Sequence, residues 1–170
     1  IPPGIGKKST FGLTQKELDE VLNEGAPWCL KNGIGDDSDL EFSERNGSLP
    51  GEASLVSRKA QGRGLNQLGT LGAGNHFLDI HYVAEVYDEK AAALMGLKKG
   101  SVTAMIHCGS RGLGHQVCSD YLRKMEEEYE KEIDALPEKD LAYAPFKSKL
   151  AKDYFKAMNS AANYAWATRT

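Results

Sequence analysis

The stretch Leu68-Gly69-Thr70-Leu71-Gly72-Ala73-Gly74-Asn75-His76-Phe77-Leu78-Asp79-Ile80-His81-Tyr82-Val83 changes character half-way. Its first half is dense in glycine, which lets a backbone turn sharply and approach a neighbour closely. Its second half is rich in aromatic and β-branched residues and predicts a strand over His76–Val83. Successive strand residues face opposite sides, so His76, Leu78, Ile80 and Tyr82 share one face and Phe77, Asp79, His81 and Val83 the other. A second stretch has the same parts in reverse order. Val102–Cys108 reads as a strand with Thr103, Met105 and His107 on one face, and Gly109-Ser110-Arg111-Gly112-Leu113-Gly114 leads into a helix from about His115 to Ile133. Each stretch sets a histidine where a strand meets a glycine loop. For both histidines to reach a common site, the two strands must lie in one sheet.

Working outward, Thr14-Gln15-Lys16-Glu17 is a capping-box pattern, followed by Leu18, Val21 and Leu22 at helical spacing and by Gly25 as a stop. Residues 32–51 read as a long polar loop with a short helix near Leu40-Glu41-Phe42, and Ser54–Gly62 as a short helix. A helical stretch runs from Glu89 to Leu97. The last helix starts at about Ser148, with Leu150, Tyr154, Met158, Ala161 and Ala165 as its apolar stripe. The fold class expected is α+β, a mixed sheet with flanking helices, in one unit over residues 1–170.

Bulk properties narrow the function. The net charge of −3 excludes a globally basic nucleic-acid binder. A local basic site is still allowed, because residues 53–78 hold Arg58, Lys59 and Arg63 and no acid. No apolar run approaches the ~20 residues that span a bilayer. Three cysteines, Cys29, Cys108 and Cys118, without a close pair argue against a disulfide scaffold and a zinc module. All three are expected to be buried small apolar groups, in a reducing, cytoplasmic compartment. The ends, Ile1-Pro2-Pro3-Gly4 and a helix running up to Thr170, read as those of a cut or processed piece.

Asn75 can offer amide hydrogens to a phosphate and His76 can bind a metal. The plainer reading is a glycine turn followed by a buried, hydrogen-bonded histidine. The loop from Gly109 to Gly114 opens a helix, where free backbone N–H groups favour anions, and Arg111 adds a forked cation suited to phosphate. It is neither a Walker loop nor GxGxxG, and a tight connection with a surface Arg is its plainer reading. Two histidines are fewer than the three protein ligands a metal site usually takes. Asp79, Cys108, His81 and His115 are the other donors within the chain. Cys108 points away from His107 along the strand, and His81 faces away from His76. Glu126-Glu127-Glu128 is a solvated helical face.

Two blocks, Leu68–Phe77 and Met105-Ile106-His107-Cys108-Gly109-Ser110-Arg111-Gly112-Leu113-Gly114-His115-Gln116-Val117, resemble the RtcB family of RNA ligases. Ile1-Pro2-Pro3-Gly4-Ile5-Gly6, Ser57-Arg58-Lys59-Ala60 and Ala161-Ala162-Asn163-Tyr164-Ala165-Trp166 extend the likeness over essentially the whole chain. The resemblance implies an enzyme that joins RNA 3′-phosphate or 2′,3′-cyclic phosphate ends to 5′-hydroxyl ends, using GTP, Mn2+ and a guanylylated histidine. It implies that His76 and His107 are ligands of different manganese ions. It further implies that Asn75, His76, Phe77, Leu78 and Asp79 line the guanylate and that Arg111 meets an RNA phosphate. RNA and an archease-type activator are the partners implied, in the cytoplasm and, in a eukaryote, also the nucleus. Asp79 departs from the Glu usual in the family. The family's bridging Cys and an Asp ligand fall before Ile1; a third metal-binding His, the guanylylated His and a late Lys fall after Thr170. The chain by itself is therefore expected to be inert. The competing class is a non-catalytic phosphate-, nucleotide- or RNA-binding fragment or paralogue, and a mononuclear metal hydrolase is a distant third.

Overall fold

A computed structural model describes residues 1–4, 7–138 and 141–170. Ile5 and Gly6 of the entry segment lie outside the described residues. Helices α1 (Gln15–Glu24), α2 (Ala26–Lys31), α3 (Asp37–Glu41) and α4 (Arg58–Gly64) precede strand β1 (Phe77–Tyr82). Helix α5 (Glu89–Leu94), strand β2 (Val102–His107) and helices α6 (Arg111–Glu128), α7 (Glu130–Asp134) and α8 (Lys149–Arg169) follow. The α+β expectation is met. The sheet, expected to be mixed, is an antiparallel pair of β1 and β2 among the described residues. No described helix is long and apolar enough to cross a membrane.

The Thr14 cap forms as the pattern requires. Its Oγ1 accepts from the Glu17 N–H at 3.3 Å and a Glu17 carboxylate oxygen accepts from the Thr14 N–H at 2.7 Å. Helix α1 then buries Leu18, Val21 and Leu22. The helix expected over Ser54–Gly62 is broken at Val56, whose backbone is extended. Ser57 caps α4 instead, accepting from the Ala60 N–H at 3.1 Å. The helix expected from His115 begins earlier, at Arg111, and breaks at Tyr129 before α7.

Helix α8 is the centre of the core, packed by α1, α2 and α6. Its burial departs from the expected stripe. Leu150, Ala161 and Ala165 are buried, but Met158 is 40% exposed, and Ala157, Ser160, Asn163 and Tyr164 are fully buried. A helix packed from several sides buries a wider arc than one apolar stripe, and polar residues inside that arc must be satisfied. Asn163 Oδ1 accepts from the Leu49 N–H at 2.8 Å, and its Nδ2 donates to the carbonyls of Leu22 (3.0 Å) and Leu49 (2.9 Å). Ser160 Oγ accepts from the Glu52 N–H at 2.8 Å, and the Tyr164 hydroxyl donates to the Gly64 carbonyl at 2.8 Å. These bonds hold the polar connection 48–53 and the end of α4 against α8.

Asn163→Ala should therefore cost about 2–4 kcal/mol, because three bonds to backbone groups, one buried and two part-buried, are lost together with packing. Asn159→Ala, one turn away with a single exposed bond to the Pro50 carbonyl, should cost under about 1 kcal/mol. Urea unfolding of both variants measures the difference, and equal losses would contradict the role given to Asn163.

Candidate active site

The register pairs Phe77 with His107, Asp79 with Met105 and His81 with Thr103, so these residues share one face of the ribbon. Leu78, Ile80 and Tyr82 share the other with Ile106, Ala104 and Val102. His76 precedes β1, so strand alternation does not bind it. Its ring turns towards His107, with centroids 6.0 Å apart, and Phe77 stands 5.6 Å from His107. The two histidines thus meet at one site, as the two loops required.

Arg111 completes the cluster. Its Nη1 lies 3.4 Å from His76 Nδ1, its Nε donates to Thr70 Oγ1 at 3.1 Å, and its Nη2 donates to the Gly4 carbonyl at 3.5 Å. A guanidinium can only donate, so Nδ1 faces it as an acceptor. Gly72 leaves room for this contact: a Cβ there would strike both Arg111 Nη1 and His76 Nδ1, and its φ of +105° suits glycine alone. The entry segment braces the same loop, with the Gly4 N–H donating to the Gly72 carbonyl at 2.6 Å and the Leu71 N–H to the Pro2 carbonyl at 3.1 Å. The aliphatic stem of Arg63 lies beside Gly112.

Burial, then the Arg111 cation and His107, hold the His76 imidazole below its ordinary range. It therefore stays neutral, with a lone pair to give, to lower pH than a free histidine. Cys108 is buried, and burial pushes its thiol up against the opposing pull of Arg169 and Arg111; it is not a poised nucleophile. Cys29 is likewise buried, its thiol pushed up to about 11 by burial and by Asp39. Cys118 was expected to be buried as well but is exposed, because it lies off the core-facing side of α6 that Val117 and Tyr121 occupy.

Of the other expected site residues, Asn75, Leu78 and Asp79 are exposed, and Leu78 faces away from His107. Asp79 pairs with His81 at 3.7 Å on the ribbon's site face. His115 is exposed. Thr70, Gln67 and the Gly4 carbonyl were not singled out from the sequence; no spacing rule marks them, and only Arg111's reach across the chain does. Among the described residues no group of three or more His, Cys, Asp or Glu could hold a metal ion. The imidazoles of His76 and His107 fit a manganese as part of a ligand set, since manganese accepts nitrogen alongside harder oxygen donors.

The family model described as tRNA-splicing ligase RtcB matches residues 1–170. The chain belongs to the RtcB family. It is 49% identical over 170 residues to a tRNA-splicing ligase RtcB of Archaeoglobus fulgidus, covering 99% of this chain and 35% of that protein. It is also 49% identical over 170 residues to its namesake in Methanocaldococcus jannaschii (99% and 18% covered), and 49% over 172 residues to RNA-splicing ligase RtcB homolog 1 of Entamoeba histolytica (99% and 32% covered). The RtcB chain thus spans about a third or less of the length of these curated relatives.

In metal-free protein, Arg111→Ala should raise the His76 pKa part of the way to its ordinary range, since burial, the larger cause, remains. An NMR titration of the ring checks it; an unmoved curve would show that the guanidinium does not stand beside the ring in solution. For stability the sign is fixed by the depressed value. The unfolded chain takes the proton more readily, so this group costs stability as pH falls through the ordinary histidine range.

Proposed function

We propose that this chain supplies part of the metal and guanylate site of a GTP- and manganese-dependent RNA ligase. The observation that carries the reading is the meeting of His76, His107 and Arg111 in an RtcB chain. The reaction joins an RNA 3′-phosphate or 2′,3′-cyclic phosphate end to a 5′-hydroxyl end. A histidine outside these residues is guanylylated, the guanylate passes to the RNA 3′-phosphate, and the 5′-hydroxyl displaces GMP. His76 and His107 would each hold a different manganese. Bound there, the ions polarise phosphoryl oxygens and offset the charge of the leaving group. Asn75 would give amide hydrogens to the guanylate phosphate. Phe77, Leu78 and Asp79 would line the nucleotide, with Asp79 accepting from a base edge. Arg111 would neutralise an RNA phosphate, a contact needed once the guanylate has been loaded. The reading gives the protein broken or intron-cleaved tRNA-like ends as substrates and an archease-type activator as partner. Its place is the cytoplasm, and in a eukaryote also the nucleus.

One observation favours a binding-only alternative: the cation of Arg111 faces the Nδ1 lone pair of His76. On that reading Arg111 grips phosphate and the imidazoles shape the pocket without holding metal.

In the full-length protein, His76→Ala and His107→Ala should each lower self-guanylylation with labelled GTP by more than about a hundredfold, and ligation with it. Arg111→Ala should lower ligation far more than guanylylation. Unimpaired guanylylation by His76→Ala with intact RNA binding would leave the binding-only reading in place.

The isolated 170-residue chain is expected to gain no covalent GMP. Intact-mass analysis after incubation with GTP and Mn2+ decides this, and a GMP adduct on it would refute the view that the nucleophile lies outside these residues.

A further inference from the structure

We infer that Thr70 is the positioning residue that aims the Arg111 guanidinium at the terminal phosphate of the RNA; the inference rests on the reading of Arg111 just given. Thr70 is a polar residue only 1% exposed, in the turn between α4 and β1. Its hydroxyl donates to the Gln67 carbonyl at 2.6 Å. With its one hydrogen committed there, the oxygen can only accept from Arg111, and it does so from Nε at 3.1 Å. The direction of that acceptor is thus fixed by a backbone carbonyl rather than by a free rotor.

The same turn grips the next residue as well. Gln67 Oε1 accepts from the Gly112 N–H at 3.0 Å, and the Thr70 N–H closes the turn onto the Gln67 carbonyl at 3.2 Å. Gln67 and Thr70 therefore form a two-point seat for the start of α6, one point on its backbone and one on the Arg111 side chain. The seat is needed because Arg111 has a φ of +55°, a left-handed conformation that a non-glycine residue keeps only when its surroundings hold it. With Nε on Thr70, one Nη2 hydrogen directed to Gly4 and one Nη1 hydrogen towards His76, two of the five guanidinium N–H groups remain for an anion. One lies on each Nη atom, and both are charged donors. Without the Thr70 acceptor, the Nε–H loses its partner in a part-buried corner and the guanidinium can rotate away from the bound phosphate.

The test uses the full-length protein and two RNA oligonucleotides of one sequence, ending in a 3′-phosphate or a 3′-hydroxyl, with affinity read by fluorescence anisotropy. Thr70→Val keeps the side-chain shape and removes the hydroxyl. It should weaken binding of the 3′-phosphate RNA about tenfold, the size of one lost hydrogen bond to a charged group, with no matching loss for the 3′-hydroxyl RNA. Thr70→Ser should restore binding, and Thr70→Ala should repeat the loss if Thr70→Val is too unstable to purify. In an Arg111→Ala background the Thr70→Val penalty should vanish, because its target is gone. A penalty that persists in that background, or a Thr70→Ser as weak as Thr70→Val, would reduce Thr70 to a structural residue and overturn the inference. If Arg111→Ala weakens phosphate-dependent binding and Thr70→Val does not, the inference alone fails. If Arg111→Ala binds the 3′-phosphate RNA normally, the reading of Arg111 fails and takes this inference with it.

Discussion

A single guanidinium holds the site together. Arg111 reaches Thr70 and His76 at the two ends of the glycine loop and the Gly4 carbonyl of the entry segment, both far from it in sequence. Each contact alone is modest, and hydrogen bonds to a charged group contribute about 1.5–3 kcal/mol at most when well formed. Their collective effect is geometric. The glycine loop before β1 has no helix or sheet of its own to fix it, so its shape is set by what it touches: Gly72 against Arg111, and Leu71 and Gly72 against the entry segment. The left-handed backbone at Arg111 costs on the order of 1–3 kcal/mol, and the contacts its side chain makes are what offset it.

That clamp stands on a floor built around α8. Tyr164 ties α8 to the end of α4, whose exit turn carries Gln67 and Thr70. Leu113, in the first turn of α6, is fully buried in the same core beside Gly64, whose missing Cβ makes room for it. The route from packing to site is therefore short: α4 packs on α6, Tyr164 of α8 holds its end at Gly64, and the turn that follows seats Arg111. A loss of packing at Tyr164 or Leu113 would be felt at the guanidinium before it was felt at the sheet.

Much of this was legible in the sequence, and what was not has specific reasons. The Thr14 capping box, the two strands and the Ser148 start of α8 follow from local rules that depend on near neighbours only. The start of α6 lies earlier than local rules place it because the first-turn N–H of Gly112 is satisfied by Gln67, far away in sequence, so no local cap announces it. The buried arc of α8 is wider than its apolar stripe because it includes the polar Ser160 and Asn163, whose burial only the connection they hold explains. Cys118 was expected inside because free cysteines often are, a composition rule that says nothing of which side of a helix a residue occupies. At the site, the two histidines and Arg111 were visible as strand-end and loop residues. Thr70 was not, since a buried hydroxyl looks like any turn threonine until its partner is known.

The two halves of the site differ in how firmly they are held. The ribbon of β1 and β2 is exposed on both faces: Ile80, Tyr82 and Val102 on one are each more than 70% open to solvent, and Met105 on the other is 50% open. A two-stranded ribbon is marginally stable by itself, so it cannot be the element that sets the distance between His76 and His107. The anchor lies just beyond β2. Cys108 is buried, and its carbonyl accepts from Arg169 Nη1 at 3.1 Å, which ties the end of the strand to the end of α8. His76 is held from the other side through Gly72 and Arg111. Both histidines therefore depend on the helical core, and the ribbon extends outward from them. The surface that Phe77 and Asp79 contribute lies on the looser side, while the corner of Arg111 and His76 lies on the firm one. A fixed fork of donors needs rigid support, and the Arg111 guanidinium is set where the helical core can supply it.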